Sequence, residues 1–357
     1  MKHLLVMAAG TGGHVIPGLA VAREMQARGW RISWLGTPAG LENKLVPPTG
    51  IPIDTIGFAG LRGNGLLHTL TGGLRLLGAF WACLQIVRRR QTTAVLGMGG
   101  YVCFPGGLMA SLLGKPLMLV NADASLLLSN KALLPVADRI AFGFDGADAR
   151  RTKRAVVTGN PVRAEIEALP APAERFANRQ GALRVLVVGG SLGARPLNQC
   201  LPQALALIEP ALRPVVTHQT GAANLESVQA AYADAKIDAR VLPFIDDMAK
   251  QLAACDMIVC RAGAVTVSEL CAAGVAAVLV PFVVSTTAHQ RDNALWLAGH
   301  GAGIHLPQGE LTPRALADLL GSLTREKLLG IATKARALAR PHAAARVADE
   351  IEGLVAA

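Results

Sequence analysis

Leu183-Arg184-Val185-Leu186-Val187-Val188 runs into Gly189-Gly190-Ser191-Leu192-Gly193-Ala194-Arg195, and far earlier Leu4-Leu5-Val6-Met7 leads to Gly10-Thr11-Gly12-Gly13-His14. An uninterrupted apolar run is how a parallel strand buried on both faces reads. Glycines just beyond it permit a tight turn and let backbone N–H groups approach a ligand closely. The following helix points its positive end at the same place. One such junction in each half of the chain predicts two nucleotide-binding-type α/β halves facing one cleft.

The flanking pattern agrees. In the first half, apolar runs at 4–7, 31–35, 53–56, 94–96, 117–120, 139–142 and 155–157 read as strands, with helical periodicity over 18–28. Strands alternating with helices imply a parallel sheet covered on both faces. From Asn160 to Pro172 proline density rises and the apolar period lapses, which reads as a linker. The pattern restarts with strands at 184–188, 214–218, 240–243, 257–260 and 276–280. Helices fit 246–254, 265–273 and 290–298, and a helical tail covers 314–320 and 343–354, broken at Pro341. The expected domains are residues 1–162 and 163–340, with 341–357 returning to the first.

At 357 residues, two domains of about 150–200 residues are the default. Apolar residues make up 52%, yet no run of about 18 apolar residues occurs. Met1–Ala9 is only superficially like a signal peptide, because it feeds straight into the first glycine loop; the expectation is a cytoplasmic chain. The six cysteines form no Cys-x-x-Cys pair and read as reduced and buried. The net charge of +10 favours anionic partners. Nucleic acid is not among them, since aromatics are only 4% and no recognition motif appears.

Residues 66–90 place Leu77, Phe80, Trp81 and other apolar side chains beside Arg75 and Arg88-Arg89-Arg90. One reading is a core helix with a polar end. The other is a helix whose apolar side chains enter a membrane interface while its arginines meet anionic headgroups.

The first loop is neither Gly-x-Gly-x-x-Gly nor a Walker sequence, and no acidic residue follows the next strand where a ribose anchor would sit. His14 falls at a loop-to-helix junction, where a neutral imidazole base is favoured. In the second loop a Ser191 hydroxyl with free N–H groups suits a diphosphate. A third junction, Arg261-Ala262-Gly263-Ala264-Val265-Thr266-Val267-Ser268-Glu269, opens another helix. There Glu269 could take ribose hydroxyls or stand as an exposed helix acid. No metal-ligand spacing is visible, so a leaving diphosphate would be met by helix ends and arginine.

Taken in order, the two loops, Gly60-Leu61-Arg62-Gly63, Gly97-Met98-Gly99-Gly100-Tyr101-Val102, Gly159-Asn160-Pro161-Val162-Arg163, Phe244-Ile245-Asp246-Asp247-Met248, the Cys260–Glu269 junction and His289-Gln290 with Asn293-Ala294 resemble the MurG family. These are two-domain glycosyltransferases of the GT-B fold, and the resemblance covers nearly the whole chain. It implies inverting, metal-free transfer of N-acetylglucosamine from UDP-N-acetylglucosamine to the C4 hydroxyl of the muramoyl sugar in lipid I. The implied site is the cytoplasmic face of the inner membrane, without a cofactor, with anionic lipid and cell-wall synthesis and division proteins as further partners. The donor would be held by Arg163, Ser191, Ile245 (at uracil), Ala264, Val265, Thr266, Val267, Ser268, Glu269 (at ribose) and Gln290 (at the sugar). Thr11, Gly12, Gly13 and His14 would face the transferring sugar and acceptor, with Tyr101 and Asn130 on the acceptor side.

One departure matters. Where most relatives carry His-Glu-Gln-Asn after the fifth strand, this chain has Val120-Asn121-Ala122-Asp123. The family's polar His and Glu are absent, leaving His14 as the first choice for the base and Asp123 as the second. Near Gln290 the register against relatives can slip by one residue, which makes His289 its rival. Two other functions share this outline: a UDP-N-acetylglucosamine 2-epimerase-like enzyme, and a non-catalytic cell-wall scaffold.

Overall fold

A computed structural model describes residues 1–58, 66–190, 192–282 and 288–356, with backbone only for 66–72 and 74. The chain divides into two compact units: Met1–Pro161 with His342–Ala357, and Val162–Pro341.

The first unit is a seven-stranded parallel sheet of order β3-β2-β1-β4-β5-β6-β7. Its strands are β1 (His3–Ala8), β2 (Arg31–Gly36), β3 (Ile53–Thr55), β4 (Ala94–Gly99), β5 (Leu117–Asn121), β6 (Arg139–Phe142) and β7 (Ala155–Val157). The crossovers carry α1 (Gly12–Ala27), α2 (Glu42–Leu45), α3 (Leu66–Arg89), α4 (Cys103–Leu112), α5 (Leu128–Leu133) and α6 (Ala147–Arg151). Side chains on β1 alternate between two cores. Leu4, Val6 and Ala8 pack with Val21, Ala22 and Met25 of α1, while Leu5 and Met7 pack with Cys83 and Val87 of α3 and Cys103 of α4. The sheet is therefore covered on both faces, as its apolar runs require.

The second unit opens with short helices α7 (Ala164–Glu167) and α8 (Pro172–Phe176) and then builds a six-stranded parallel sheet of order β10-β9-β8-β11-β12-β13. The strands are β8 (Arg184–Val188), β9 (Val215–Gln219), β10 (Ala239–Leu242), β11 (Met257–Cys260), β12 (Ala276–Leu279) and β13 (Ile304–His305). Between and after them come α9 (Arg195–Ala206), α10 (Leu225–Asp234), α11 (Met248–Ala254), α12 (Ala264–Ala273), α13 (His289–Gly299), α14 (Pro313–Ser322) and α15 (Arg325–Ala337).

The last helix, α16 (Ala343–Ala356), packs on the first unit, as the sequence reading expected. It adds Val347, Ala348 and Ile351 to the α1 core. Arg28 at the end of α1 binds Asp349 at 2.6 Å and Glu352 at 2.8 Å, and the Trp30 indole donates to Glu352 at 3.1 Å.

Several elements differ from expectation for local reasons. The proline-rich stretch read as a linker holds α7 and α8, because Pro172 suits a first helical turn. Their arginine-bearing surroundings are tied down: Arg175 donates to Ala273 O and Leu252 O, and Arg179 to Asp256, satisfying the last carbonyls of α11 and α12. Helix α1 begins at Gly12 instead of residue 18, since glycines and Pro17 hide its period. The two-residue β13 was too short to read, and α15 was not anticipated.

All six cysteines are buried and none forms a disulfide. Burial pushes the thiols of Cys83, Cys103, Cys255, Cys260 and Cys271 up to about 12, and that of Cys200 up to about 11. Thiolate is scarce at neutral pH, so a disulfide reagent at pH 8 is expected to label none of them until denaturant is added. In urea unfolding, Ile351→Ala should cost about 2–5 kcal/mol through the cavity it leaves. Arg28→Ala should cost about 1 kcal/mol or less, because its ion pairs are partly solvated.

Candidate active site

In an open parallel sheet, ligands bind beyond the carboxyl ends of two neighbouring strands whose crossovers leave in opposite directions. The strand orders put these points between β1 and β4 in the first unit and between β8 and β11 in the second. The glycine motifs fall there.

At the β1/β4 point the ladder is irregular. Met7 pairs with Gly97 but Ala8 with Gly99, so Met98 bulges. The Cys103 thiol closes the gap, donating to Met7 O at 3.4 Å and accepting from Gly99 N–H at 3.3 Å. Gly99 and Gly100 have φ of 128° and 93°. A Cβ on Gly99 would lie 2.7 Å from His14 Nε2, and one on Gly100 would lie 2.7 Å from Ala9 O. These two glycines thus let the half-buried imidazole of His14 rest against the β4 turn. Nδ1 of His14 lies 3.4 Å from Ala9 O, at the N-terminus of α1. Thr11 and Gly13 are exposed beside it and Gly12 is half-buried; Tyr101, directly after the glycine pair, is about half exposed.

Behind this loop sits Glu42, fully buried. Its Oε2 accepts from Gly10 N–H at 2.9 Å, and its Oε1 accepts from Thr37 N–H at 2.8 Å and Thr37 Oγ1 at 2.7 Å. Burial alone would raise its pKa, but the hydrogen bonds outweigh burial and hold it below the ordinary carboxylate value. This acidic residue does not stand at the end of β2, where a ribose anchor would sit. It comes six residues beyond the strand and folds back onto the glycine loop.

The loop after β5 carries Asp123, half-buried. Three asparagines build it. Asn121 Nδ2 donates to Asp123 O at 2.7 Å and to Ser125 O at 3.0 Å, and its Oδ1 accepts from Leu127 N–H. Asn130 Nδ2 donates to Val120 O and to Asn121 Oδ1, both at 3.1 Å. Asn160 Nδ2 donates to Ala122 O at 2.9 Å, across Gly143, where any Cβ would overlap that amide. Asn130 is fully buried, so it supports this loop from behind and does not present its side chain to an acceptor, as had been expected.

In the second unit, α12 starts at the end of β11 with Gly263 as its N-cap. The first intrahelical bond recorded there is Val267 N–H to Gly263 O, at 2.9 Å. The N–H groups of Ala264, Val265 and Thr266 have no carbonyl to reach within the helix and so form an anion-facing end. Helix α9 is poorer in donors, because Pro196 in its first turn has no N–H. Ser191 lies outside the described residues, as do Gly60-Leu61-Arg62-Gly63 and residues 283–287.

A directed chain of hydrogen bonds holds the second glycine loop. Asn198 Nδ2 donates to Thr220 O, so its Oδ1 must accept from His218 Nε2–H, at 3.1 Å. His218 Nδ1 then accepts from the Tyr232 hydroxyl at 3.0 Å. Burial lowers the His218 pKa to about 4, which keeps the ring neutral in this relay. Thr220 O also accepts from Asn224 and touches Gly193, where a Cβ would overlap it.

Arg163 and Glu269 meet as a bidentate pair, Nε to Oε1 at 2.7 Å and Nη2 to Oε2 at 2.9 Å. The hydrogen bond to Glu269 raises the guanidinium above its usual range. Glu269 is therefore not a free helix acid. Gln290 Oε1 accepts from Phe282 N–H at 2.9 Å, fixing the start of α13 against the end of β12; Arg261 donates to Val280 O at 3.0 Å and stacks on Phe282 at 5.6 Å.

Ile245 is 6% exposed, and the exposed apolar side chain there is that of its neighbour Phe244, at 56%. Val267 and Ser268 are buried on α12. Sequence reasoning passed over Glu42, Phe244 and the Asn198–His218–Tyr232 relay. Phe244 alone had a signal, an aromatic residue inside a motif already singled out.

On α3, Ala79, Cys83, Ile86 and Val87 are buried while Leu77 (65% exposed) and Trp81 (62%) point outward, one turn apart, with Arg75 and Arg88 also exposed. Asp54 binds Arg89 at 2.6 Å and Arg90 at 2.8 Å, so these two arginines are not wholly at the disposal of a partner. Among the described residues no helix is long and apolar enough to cross a membrane, and no three His, Cys, Asp or Glu side chains gather as a metal site.

Comparisons with known proteins match this arrangement. Residues 4–142 match the glycosyltransferase family 28 N-terminal domain and residues 184–351 the glycosyltransferase family 28 C-terminal domain. The UDP-N-acetylglucosamine–N-acetylmuramyl-(pentapeptide) pyrophosphoryl-undecaprenol N-acetylglucosamine transferase of Methylibium petroleiphilum is 74% identical, covering 99% of this chain and 98% of its own. The enzyme of that name from Chromobacterium violaceum is 63% identical over 98% of this chain and 97% of its own. The crystal structure of Acinetobacter baumannii MurG superposes with a TM-score of 0.88 at 40% identity, covering 99% of this chain and all of that one. The chain belongs to glycosyltransferase family 28, and within it to the MurG N-acetylglucosamine transferases.

Proposed function

We propose that this protein transfers N-acetylglucosamine from UDP-N-acetylglucosamine to the C4 hydroxyl of MurNAc in undecaprenyl-pyrophosphoryl-MurNAc-pentapeptide, lipid I. The product is lipid II, for peptidoglycan synthesis. The observation that carries this reading is the coincidence of two things. Full-length relatives at 74% and 63% identity bear this activity in their names, and the chain's loop motifs fall at the switch points of both sheets.

The second unit holds the donor. The free N–H groups of Ala264, Val265 and Thr266 meet the diphosphate, and Ser191 in the glycine loop adds a hydroxyl. Glu269 accepts from the ribose hydroxyls, with Arg163 holding its carboxylate in place. Phe244 covers the uracil while the Ile245 backbone reads its edge. Gln290 keeps Oε1 on Phe282 N–H and offers its amide N–H groups to the sugar.

The first unit supplies the acceptor side. His14 is the base: its imidazole takes the C4 proton as the oxygen attacks the anomeric carbon, with inversion, and UDP departs toward the α12 N-terminus. Thr11, Gly12 and Gly13 shape the space next to it, and Tyr101 lines the acceptor. Asp123 is the second choice for the base. The transfer runs without a metal ion, the leaving charge being met by backbone N–H groups and arginine. Leu77 and Trp81, flanked by Arg75 and Arg88, rest on the anionic cytoplasmic face of the inner membrane, where the lipid-linked acceptor is presented.

With a short-chain lipid I analogue and excess EDTA, purified protein should form the disaccharide product at an undiminished rate; no product in either condition would end this reading. His14→Ala should lower kcat by about 10²- to 10⁴-fold while UDP affinity stays within a factor of two, and Asp123→Asn should cost less. Leu77→Ser with Trp81→Ser should weaken sedimentation with anionic vesicles by roughly tenfold, leaving turnover of a water-soluble acceptor intact.

A further inference from the structure

A buried carboxylate needs hydrogen bonds or a cation to offset its loss of water. Glu42 does so through three donors, and one of them, Gly10 N–H, belongs to the loop that carries His14. The contact is reciprocal along the chain: Leu41 N–H donates to Gly10 O at 3.3 Å. Both polar groups of the Gly10 peptide are thus held by the first turn of α2. Gly10 has a φ of 94°, a conformation that other residues rarely adopt and that needs such restraint.

The surrounding backbone is cut to fit this side chain. A Cβ on Gly36 would lie 2.7 Å from Glu42 Cγ, and one on Gly40 would overlap the carboxylate oxygens. Two glycines are therefore required to bury one acid. Core stability alone does not call for this, because an apolar side chain of similar volume would fill the space without the cost of desolvating a charge. What a carboxylate does that an apolar group cannot is accept from Gly10 N–H and Thr37 N–H at once.

We propose that Glu42 is a positioning residue of the transfer reaction. Its carboxylate locks the Gly10 peptide, and so sets where α1 begins and where the His14 imidazole lies against Gly99 and Gly100. It touches no reacting atom. This rests on the reading of His14 as the base.

Glu42→Gln keeps the volume but replaces one acceptor oxygen with an N–H₂ group, which confronts the N–H of either Gly10 or Thr37. The full-length variant, assayed with UDP-N-acetylglucosamine and a lipid I analogue, should lose about 10- to 100-fold in kcat, with KM for the donor within twofold of wild type. Gly40→Ala, which displaces the carboxylate without removing its charge, should give the same pattern and serves if Glu42→Gln does not fold. The readout that separates positioning from general damage is the double variant. In a His14→Ala background, where there is no base left to aim, Glu42→Gln should cost less than about twofold. A Glu42→Gln enzyme with wild-type kcat, or a loss that multiplies in full on top of His14→Ala, would overturn the proposal. Its failure differs from failure of the base assignment, which would show as a His14→Ala enzyme of near-normal kcat.

Discussion

The arrangement depends on a constraint of parallel sheets: where successive crossovers leave to opposite faces, two neighbouring strands end with nothing from the chain filling the space beyond them. In the first unit α1 packs with Leu4 and Val6 on one face, and α4 packs with Met7 on the other. The ends of β1 and β4 are then lined by glycine loops and by His14. In the second unit the ends of β8 and β11 are lined by Gly189, Gly190 and Gly193 and by the start of α12. Backbone N–H groups at such points need an outside partner, since the helix cannot pair its own first turn. That need is what makes each point a binding place before any side chain is considered.

How the two helix ends differ decides their work. Helix α9 spends its first turn on a proline and on Asn198, whose amide is committed to Thr220 O and His218. Helix α12 begins on a glycine and leaves three donors open. A doubly charged leaving group needs several donors converging on it, so α12 is the better electrostatic partner and α9 the better scaffold. The neutral tautomer of His218 follows from this division of roles: the relay works only with Nε2 protonated, and burial keeps the ring from gaining a second proton.

Much of this was legible in the sequence because buried parallel strands announce themselves. The strands 139–142, 155–157, 184–188 and 257–260 coincide with β6, β7, β8 and β11. What was hidden has physical reasons. Helix α1 starts among glycines and carries an internal proline, so its period is silent for its first turn and a half. Asn130 reads as a site residue because polar side chains in motifs usually face ligands, yet its burial makes it a support. The same ambiguity attends Ile245, since a motif names a position without saying whether side chain or backbone faces out. Glu42 was overlooked because an acid in a loop is ordinarily solvated; only the third dimension returns it to Gly10.

The missing His-Glu pair at the end of β5 looks at first like the loss of a catalytic feature. The loop that follows is shaped by Asn121, which stands at the second of those two positions, and by Asn130 and Asn160. With Val120 and Asn121 at the two positions, Asn121 ties the loop to itself. A base, by contrast, cannot be replaced by loop shape; it must be a titratable group held at the reacting centre. At the β1/β4 point the imidazole of His14 is braced on both sides, by Ala9 O and by the turn of Gly99 and Gly100. Asp123, the second choice, sits on the loop after β5, where its carbonyl accepts from Asn121 Nδ2. With that pair absent, the imidazole so braced is the base proposed above, and Asp123 is its alternative.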